Sequence, residues 1–229
     1  PWFTDWGRDT FISLRGLLLA TGRLADAREI LLSWAPALSS GMLPNFFPDG
    51  SATPEYNTVD ASLWYVVAAG EYMNRVESAG GSDTAADREI LTTAIAAVLD
   101  AYTHGTRFGI HQDQDGLIAS GVPGIALTWM DARVDGRAVT PRCGKAVEVQ
   151  ALWLNALLVG ERWRPAGAAG AREAGRWRSG FAKGRASFIS RFWNESVSGL
   201  HDVVDVEGIP GTTDSSFRPN QIFAVGGLP

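Results

Sequence analysis

Asp131 follows Trp129 by two residues in TWMDARVDGRAVTPRCGKAVE, residues 128–148, placing a carboxyl group beside a large flat ring in a loop that leads into a helix start. An indole face offers an apolar surface on which a sugar ring can stack, and it lowers the polarity around a neighbouring acid. Poor solvation favours the protonated form of a carboxyl, as an acid catalyst near neutral pH requires. Asp131 is therefore the candidate catalytic residue, and Trp129 a candidate sugar platform. Lys145 and Glu148 follow at the expected start of the next helix and supply a cation and a second carboxylate. Competing structural readings make Asp131 a turn residue and Glu148 a partner of the helix dipole.

Three further clusters could do related chemistry. Thr4-Asp5-Trp6-Gly7-Arg8-Asp9-Thr10 offers a donor fork in Arg8 and a charged acceptor in Asp9, able together to grip vicinal sugar hydroxyls, with Trp6 beside them. Its plain alternative is Asp9 as an N-cap and Arg8 as a surface charge. Glu55-Tyr56-Asn57-Thr58-Val59-Asp60 resembles a capping arrangement, yet Trp64 lies one turn after Asp60 and on its face. Asn57, Asp60 and Trp64 therefore join the candidate binding residues. In Asp214-Ser215-Ser216-Phe217-Arg218-Pro219-Asn220, capping accounts for Ser216 and leaves Arg218 and Asn220 as candidates. Asp113-Gln114-Asp115-Gly116 lacks the remaining ligands of a calcium loop and reads as a turn.

Helical periodicity supplies the elements that must position these groups. Residues 9–21 read as a buried helix stopped at Gly22, and residues 24–39 as an amphipathic partner. A third helix opens at Asn57 or Thr58, and a fourth follows from Asp83 as N-cap. Helices over about 145–163 and 168–193 form a third pair, and Pro219 suits the first turn of a seventh helix. Long turn-rich loops separate the pairs and carry the polar clusters, so the clusters gather at one end of a ring of helix hairpins. The expected fold is all-α, an (α/α) toroid of which about six helices are present. The expected domain is a single one over 1–229, cut from a longer polypeptide at both ends.

The totals narrow the function class. A net charge of -5 with scattered Lys and Arg argues against nucleic acid as a partner. One cysteine precludes an internal disulfide framework and fits a reducing, cytoplasmic setting; three histidines without a repeated spacing argue against a zinc site. No apolar run approaches the roughly 20 residues of a membrane span, and no metal or cofactor is expected. Nine tryptophans exceed what a core of this size ordinarily uses and favour a saccharide ligand.

Four blocks carry a family resemblance: WFTDWGRDTFISLRGL at 2–17, YNTVDASLW at 56–64, GIALTWMDARVDGRAVTPRCGKAVEVQALW at 124–153 and DSSFRPNQIFAV at 214–225. As a set and in this order they resemble the amylo-α-1,6-glucosidase domain at the C-terminal end of glycogen debranching enzymes. The resemblance implies an (α/α)6 toroid that hydrolyses α-1,6-linked glucose stubs on glycogen-like α-glucans with inversion. It puts the general acid on Asp131 and sugar binding on Arg8 and Asp9, and it places the general base beyond Pro229, in the remainder of the parent polypeptide, so that the piece alone would be inactive. An inverting pair stands about 6.5–9.5 Å apart; within the chain Glu148 is the nearby second carboxylate, and sugar binding is the role assigned to it. The alternatives are another toroidal α-glycosidase, glucoamylase-like or trehalase-like, and a non-catalytic α-glucan-binding module.

Overall fold

The computed structural model describes residues 5–47, 53–81 and 84–228. Six α-helices account for most of the regular structure among them: α1 (Gly7–Leu14), α2 (Leu24–Trp34), α3 (Ala61–Ser78), α4 (Ala85–His104), α5 (Val147–Arg162) and α6 (Gly167–Phe192). The helix-rich character expected from the apolar periodicity is present. The strictly all-α expectation is corrected by nine two-residue strands, which occupy the loops between helices.

The centre of the molecule is α3, buried without interruption from Ala61 to Gly70 and packed against α1, α2, α4 and α5. Phe11 from α1, Leu31 from α2, Leu99 from α4 and Trp153 from α5 belong to the same core, each fully buried. Burying a side chain of this size contributes about 1.5–3 kcal/mol relative to exposure. The polar tips in this core are satisfied: Tyr65 Oη donates to Leu31 O at 3.2 Å, and Tyr102 Oη to Val59 O at 2.9 Å. Burial pushes both phenols far above their ordinary range.

Several helix boundaries differ from expectation for identifiable reasons. The first helix begins at Gly7, so Asp9 lies inside its first turn and does not cap it. It changes at Arg15 into a π-helical turn, Arg15–Leu19, in which Arg15 donates twice to Glu71 at 2.7 Å and sits over the Trp64 ring. Asn57 and Thr58 stay outside α3, which opens at Ala61, and the amide of Val59 donates to Leu127 O at 2.9 Å. Thr84 caps α4, accepting from the Asp87 amide at 3.1 Å; Asp83, expected as that cap, lies outside the described residues, as does Thr4. Lys145 does not start α5: it pairs as a strand with Val204, and the helix opens two residues later. Ser216 caps nothing; its amide donates to Asp214 Oδ1 at 2.9 Å, and the following helix is a 3-10 turn, Pro219–Ala224.

The strands bring distant segments to the helix starts. In chain order β1 (His111–Gln112) pairs with β2 (Ile118–Ala119), and β3 (Arg133–Val134) with β4 (Arg137–Ala138) around Asp135 and Gly136, both at positive φ as a two-residue hairpin turn requires. β5 (Lys145–Ala146) forms the edge of a three-stranded sheet with β8 (Val203–Val204) and β9 (Thr213–Asp214), while β6 (Trp193–Asn194) and β7 (Gly199–Leu200) make a separate pair. The three-stranded sheet sets the start of α5 beside Asp202 and beside the segment that continues to Asn220.

Candidate functional site

Three of the polar clusters converge on one guanidinium. Arg8, in the first turn of α1, donates from Nε to both oxygens of Asp60 at 2.8 and 2.9 Å, and from Nη1 to Asp131 Oδ2 at 3.0 Å. Its Nη2 reaches Thr58 Oγ1 at 3.3 Å, and that hydroxyl donates to Asp60 Oδ1 at 2.7 Å. Arg8 is 7 % exposed and Asp60 1 %, which corrects the reading of Arg8 as a surface charge. Burial alone would lower the Arg8 pKa; Asp60, and then Asp131, outweigh it and hold the cation above its ordinary value.

Asp131 is the open member of this group. Its side chain is 45 % exposed and faces a cation, so the low-polarity setting expected from Trp129 is not what surrounds it. Its Oδ1 makes no hydrogen bond among the described residues. Trp129 stands 45 % exposed and donates from Nε1 to Asn220 Oδ1 at 2.9 Å. An aromatic face and an accessible carboxylate thus lie on one short loop, the combination needed to hold a sugar ring and act on its linkage.

The near end of that loop rests on a second charge network, buried at Arg142, Glu148 and Asp202. Arg142 Nη1 donates to Thr128 Oγ1 at 3.2 Å and to Glu148 Oε1 at 2.5 Å, and Nη2 reaches Glu148 Oε2 at 2.7 Å. The same guanidinium bonds Asp202 through Nε at 2.8 Å and Nη2 at 3.0 Å. Asp202 also accepts from Arg218 and, at 2.7 Å, from Asn220 Nδ2. Burial raises the Glu148 pKa and Arg142 opposes that rise, leaving it above the usual carboxylate value. Glu148 is 2 % exposed with both oxygens bonded to Arg142, so in this arrangement it supports the loop from beneath and has no oxygen turned to a ligand.

The other expected residues are distributed as follows. Asn57 adjoins Thr58, and its buried Oδ1 accepts no hydrogen bond from any described residue. Trp6 lies against Phe46 with ring centroids 4.5 Å apart, and Asp9 is exposed. Trp64 is buried, edge-on to Phe223 at 5.5 Å. Arg218 joins Asp202 to Asp214, the latter at 2.8 Å. Lys145 belongs elsewhere: its ammonium is buried among Asp113, Asp115 and Asp205 at 2.8, 2.8 and 2.9 Å, and Arg191 bonds the last two. Asp113 and Asp115 flank a turn, as expected, and serve as partners for this lysine.

A cavity of about 600 Å³ lies beside the Lys145 cluster, walled by His111, Ser120, Cys143, Asp205 and Glu207. It contains none of Arg8, Asp60, Trp129 or Asp131. Cavity size alone would favour it; the convergence of three motif blocks on Arg8 is the more specific signal, because polar groups meeting at one point define a site better than volume does.

Sequence reasoning missed Thr58, Arg142 and Asp202. Arg142 lies inside a block already singled out, where a cation six residues before Glu148 was a usable signal. Asp202, in a short strand-like stretch between helices, carries no local signal, since its partners arrive from residues 142, 218 and 220.

The chain matches the family model of amylo-alpha-1,6-glucosidase over residues 1–227. It is also similar to the glycogen debranching enzyme of Saccharomyces cerevisiae, at 44% identity over 68 residues. That alignment covers 30% of this chain and 4% of the yeast protein.

Proposed function

The chain belongs to the amylo-alpha-1,6-glucosidase family, and from that membership we propose that it hydrolyses α-1,6-glucosidic branch stubs of glycogen-like α-glucans, with Asp131 as the proton donor. The observation that carries the reading is the meeting of Arg8, Asp60 and Asp131, drawn from three separate blocks of the sequence, at a loop that also presents Trp129. Asp131 delivers a proton to the glycosidic oxygen as the C–O bond breaks, so that the leaving chain departs as a neutral alcohol. The face of Trp129 holds a pyranose ring against that carboxyl. Arg8 and Asn220 border the same locus, Arg8 through its bond to Asp131 and Asn220 through its bond to Trp129.

The mechanism we favour inverts the anomeric centre, with a second carboxylate activating water on the opposite face. Asp60 and Glu148 are poor choices for that base, because each has both oxygens bonded to a buried arginine. As the family resemblance implies, we assign the base to a residue outside 1–229. We further propose that the helix pairs belong to an (α/α)6 toroid and that the protein works in the cytoplasm; no helix among the described residues is long and apolar enough to cross a membrane.

The test is product analysis with the full-length protein on an α-1,6-branched limit dextrin, maltose and trehalose. Release of β-glucose from the dextrin alone supports the reading. Preference for maltose or trehalose would move the assignment to another toroidal glycosidase, and glucan binding without any hydrolysis would move it to a binding module.

A further inference from the structure

We propose that Asp202 is a positioning residue: through Asn220 it fixes the plane of the Trp129 ring, and through Arg142 it fixes the adjacent Thr128, so that the sugar platform is rigid before substrate arrives. The proposal rests on the reading of Trp129 and Asp131 as substrate-facing groups. Asp202 is 2 % exposed, and its two oxygens are filled from three directions: Arg142 at 2.8 and 3.0 Å, Asn220 at 2.7 Å, and Arg218. Two guanidiniums offset the cost of burying the carboxylate.

The chemistry of the partners fixes how the Asn220 amide must lie. Asp202 offers only acceptors, so it takes the amide NH₂; the indole of Trp129 offers only a donor, so it takes the amide oxygen. A flipped amide would face oxygen to oxygen and N–H to N–H. Asn220 is 1 % exposed and has no room to satisfy those groups with water. The half-exposed Trp129 ring is therefore pinned at Nε1 by a relay that ends on a buried charge.

The second branch reaches the next residue along the chain. Arg142, bonded to Asp202, donates to Thr128 Oγ1 at 3.2 Å, and Leu127 O accepts from the Val59 amide at 2.9 Å. Consecutive residues 127, 128 and 129 are thus tied to the start of α3, to Arg142 and to Asn220 respectively. At the far end Arg8 holds Asp131 at 3.0 Å. The ring and the acid share a short loop fixed at both ends, and Asp202 stands behind two of its attachments.

The experiment uses full-length protein labelled with fluorotryptophan. The fluorine resonance that disappears in Trp129→Phe identifies Trp129, and no ligand is needed to read it. Asn220→Ala and Asp202→Asn are expected to shift or broaden that resonance while most of the remaining tryptophan signals stay in place. Binding of a branched limit dextrin is then measured in an Asp131→Asn background, where the glucan survives. Asn220→Ala and Trp129→Phe should each raise the dissociation constant about tenfold, and the double variant should be no worse than either, as expected for residues acting as one unit. In the active protein Asn220→Ala should raise KM more than it lowers kcat.

A Trp129 resonance unmoved by Asn220→Ala, or losses that multiply in the double variant, would overturn the proposal. Should Asp202→Asn fail to fold, Asn220→Ala carries the test unaided. A wild-type protein that binds no dextrin would defeat the functional reading instead, and the resonance would still decide whether the relay exists.

Discussion

Arg8 and Asp131, 123 positions apart in the chain, are joined by a single 3.0 Å bond from Nη1 to Oδ2, whereas Arg8 and Asp60 are joined through both carboxylate oxygens. The asymmetry separates two roles. The bond to Asp60 is buried and closes the interior where α1 meets α3. The bond to Asp131 is half-exposed, and a substrate can replace it. A surface-facing ion pair of this kind contributes about 0–1 kcal/mol, so releasing Asp131 costs little compared with breaking the pair beneath it.

Asp131→Asn follows directly. The amide preserves the size and much of the hydrogen-bonding capacity of the carboxyl but cannot give up a proton to the glycosidic oxygen. Turnover of a branched limit dextrin by the full-length protein should fall by about 10²–10⁴-fold, the usual contribution of a positioned acid. Glucan affinity should stay within a few fold. Turnover above about a tenth of wild type would remove Asp131 from the general-acid role.

Asp60→Ala should act on stability first. The variant leaves the buried Arg8 guanidinium with one half-exposed carboxylate, Asp131, and the Thr58 hydroxyl, and breaking a buried pair by deleting one member costs about 3–5 kcal/mol. Thermal melting and denaturant titration measure the loss directly. A variant that melted like wild type yet bound glucan poorly would instead make Asp60 a residue that contacts substrate.

Much of this was legible in sequence, for local reasons. Helical spacing exposed the six α-helices, because each must bury apolar residues, and the motif blocks exposed Arg8 and Asp60 near helix starts and Trp129 and Asp131 in the loop that precedes α5. The placement of Lys145 was not legible. Glu148 lies in the first turn of α5 as read, with Arg142 as its partner. Lys145 read as a first-turn residue facing a ligand, but β5 pairs it with Val204, and its ammonium is enclosed by Asp113, Asp115 and Asp205. Those carboxylates come from two other segments, so no window around Lys145 contains the information. Asp202 is the same case in reverse, a residue of plain local context given its role by three distant partners.

Acid sensitivity should concentrate in the strand region. Asp205 is opposed by its own burial, but the Gly211 amide, Arg191 and Lys145 prevail and bring its pKa down to about 2; Asp214 reaches about 2 against its burial through Ser216 and Arg218. Because the folded values lie below the ordinary aspartate value of 3.8, the stability these groups supply is fully present above that pH and is lost as pH falls through about 2. Melting temperature should therefore drop steeply across this window. Asp205→Asn should melt lower at neutral pH and show a shallower fall on acidification. An unchanged acid slope in that variant would place the sensitivity elsewhere.

Gly7 sets the position of Arg8, and a single methyl group tests it. The Gly7 amide donates to Asn45 O at 3.0 Å, which brings the first turn of α1 against the backbone of residues 44 and 45. A Cβ added at Gly7 would stand 2.3 Å from Pro44 O and 3.4 Å from the Trp34 ring. The nearer obstacle is a backbone carbonyl, which cannot swing aside as a side chain can. Gly7→Ala must therefore shift either the helix start or residues 44 and 45, and overpacking of this kind costs about 1–3 kcal/mol. Any such shift moves the next residue, Arg8, relative to Asp60 and Asp131, so activity per folded molecule should fall as well as melting temperature. Gly16 provides the control, since a Cβ added there would meet nothing within 4 Å. Gly16→Ala should be neutral or stabilise by up to about 1 kcal/mol through helix propensity. If Gly7→Ala melted and hydrolysed dextrin as well as Gly16→Ala does, the close approach to Pro44 would not be what positions Arg8.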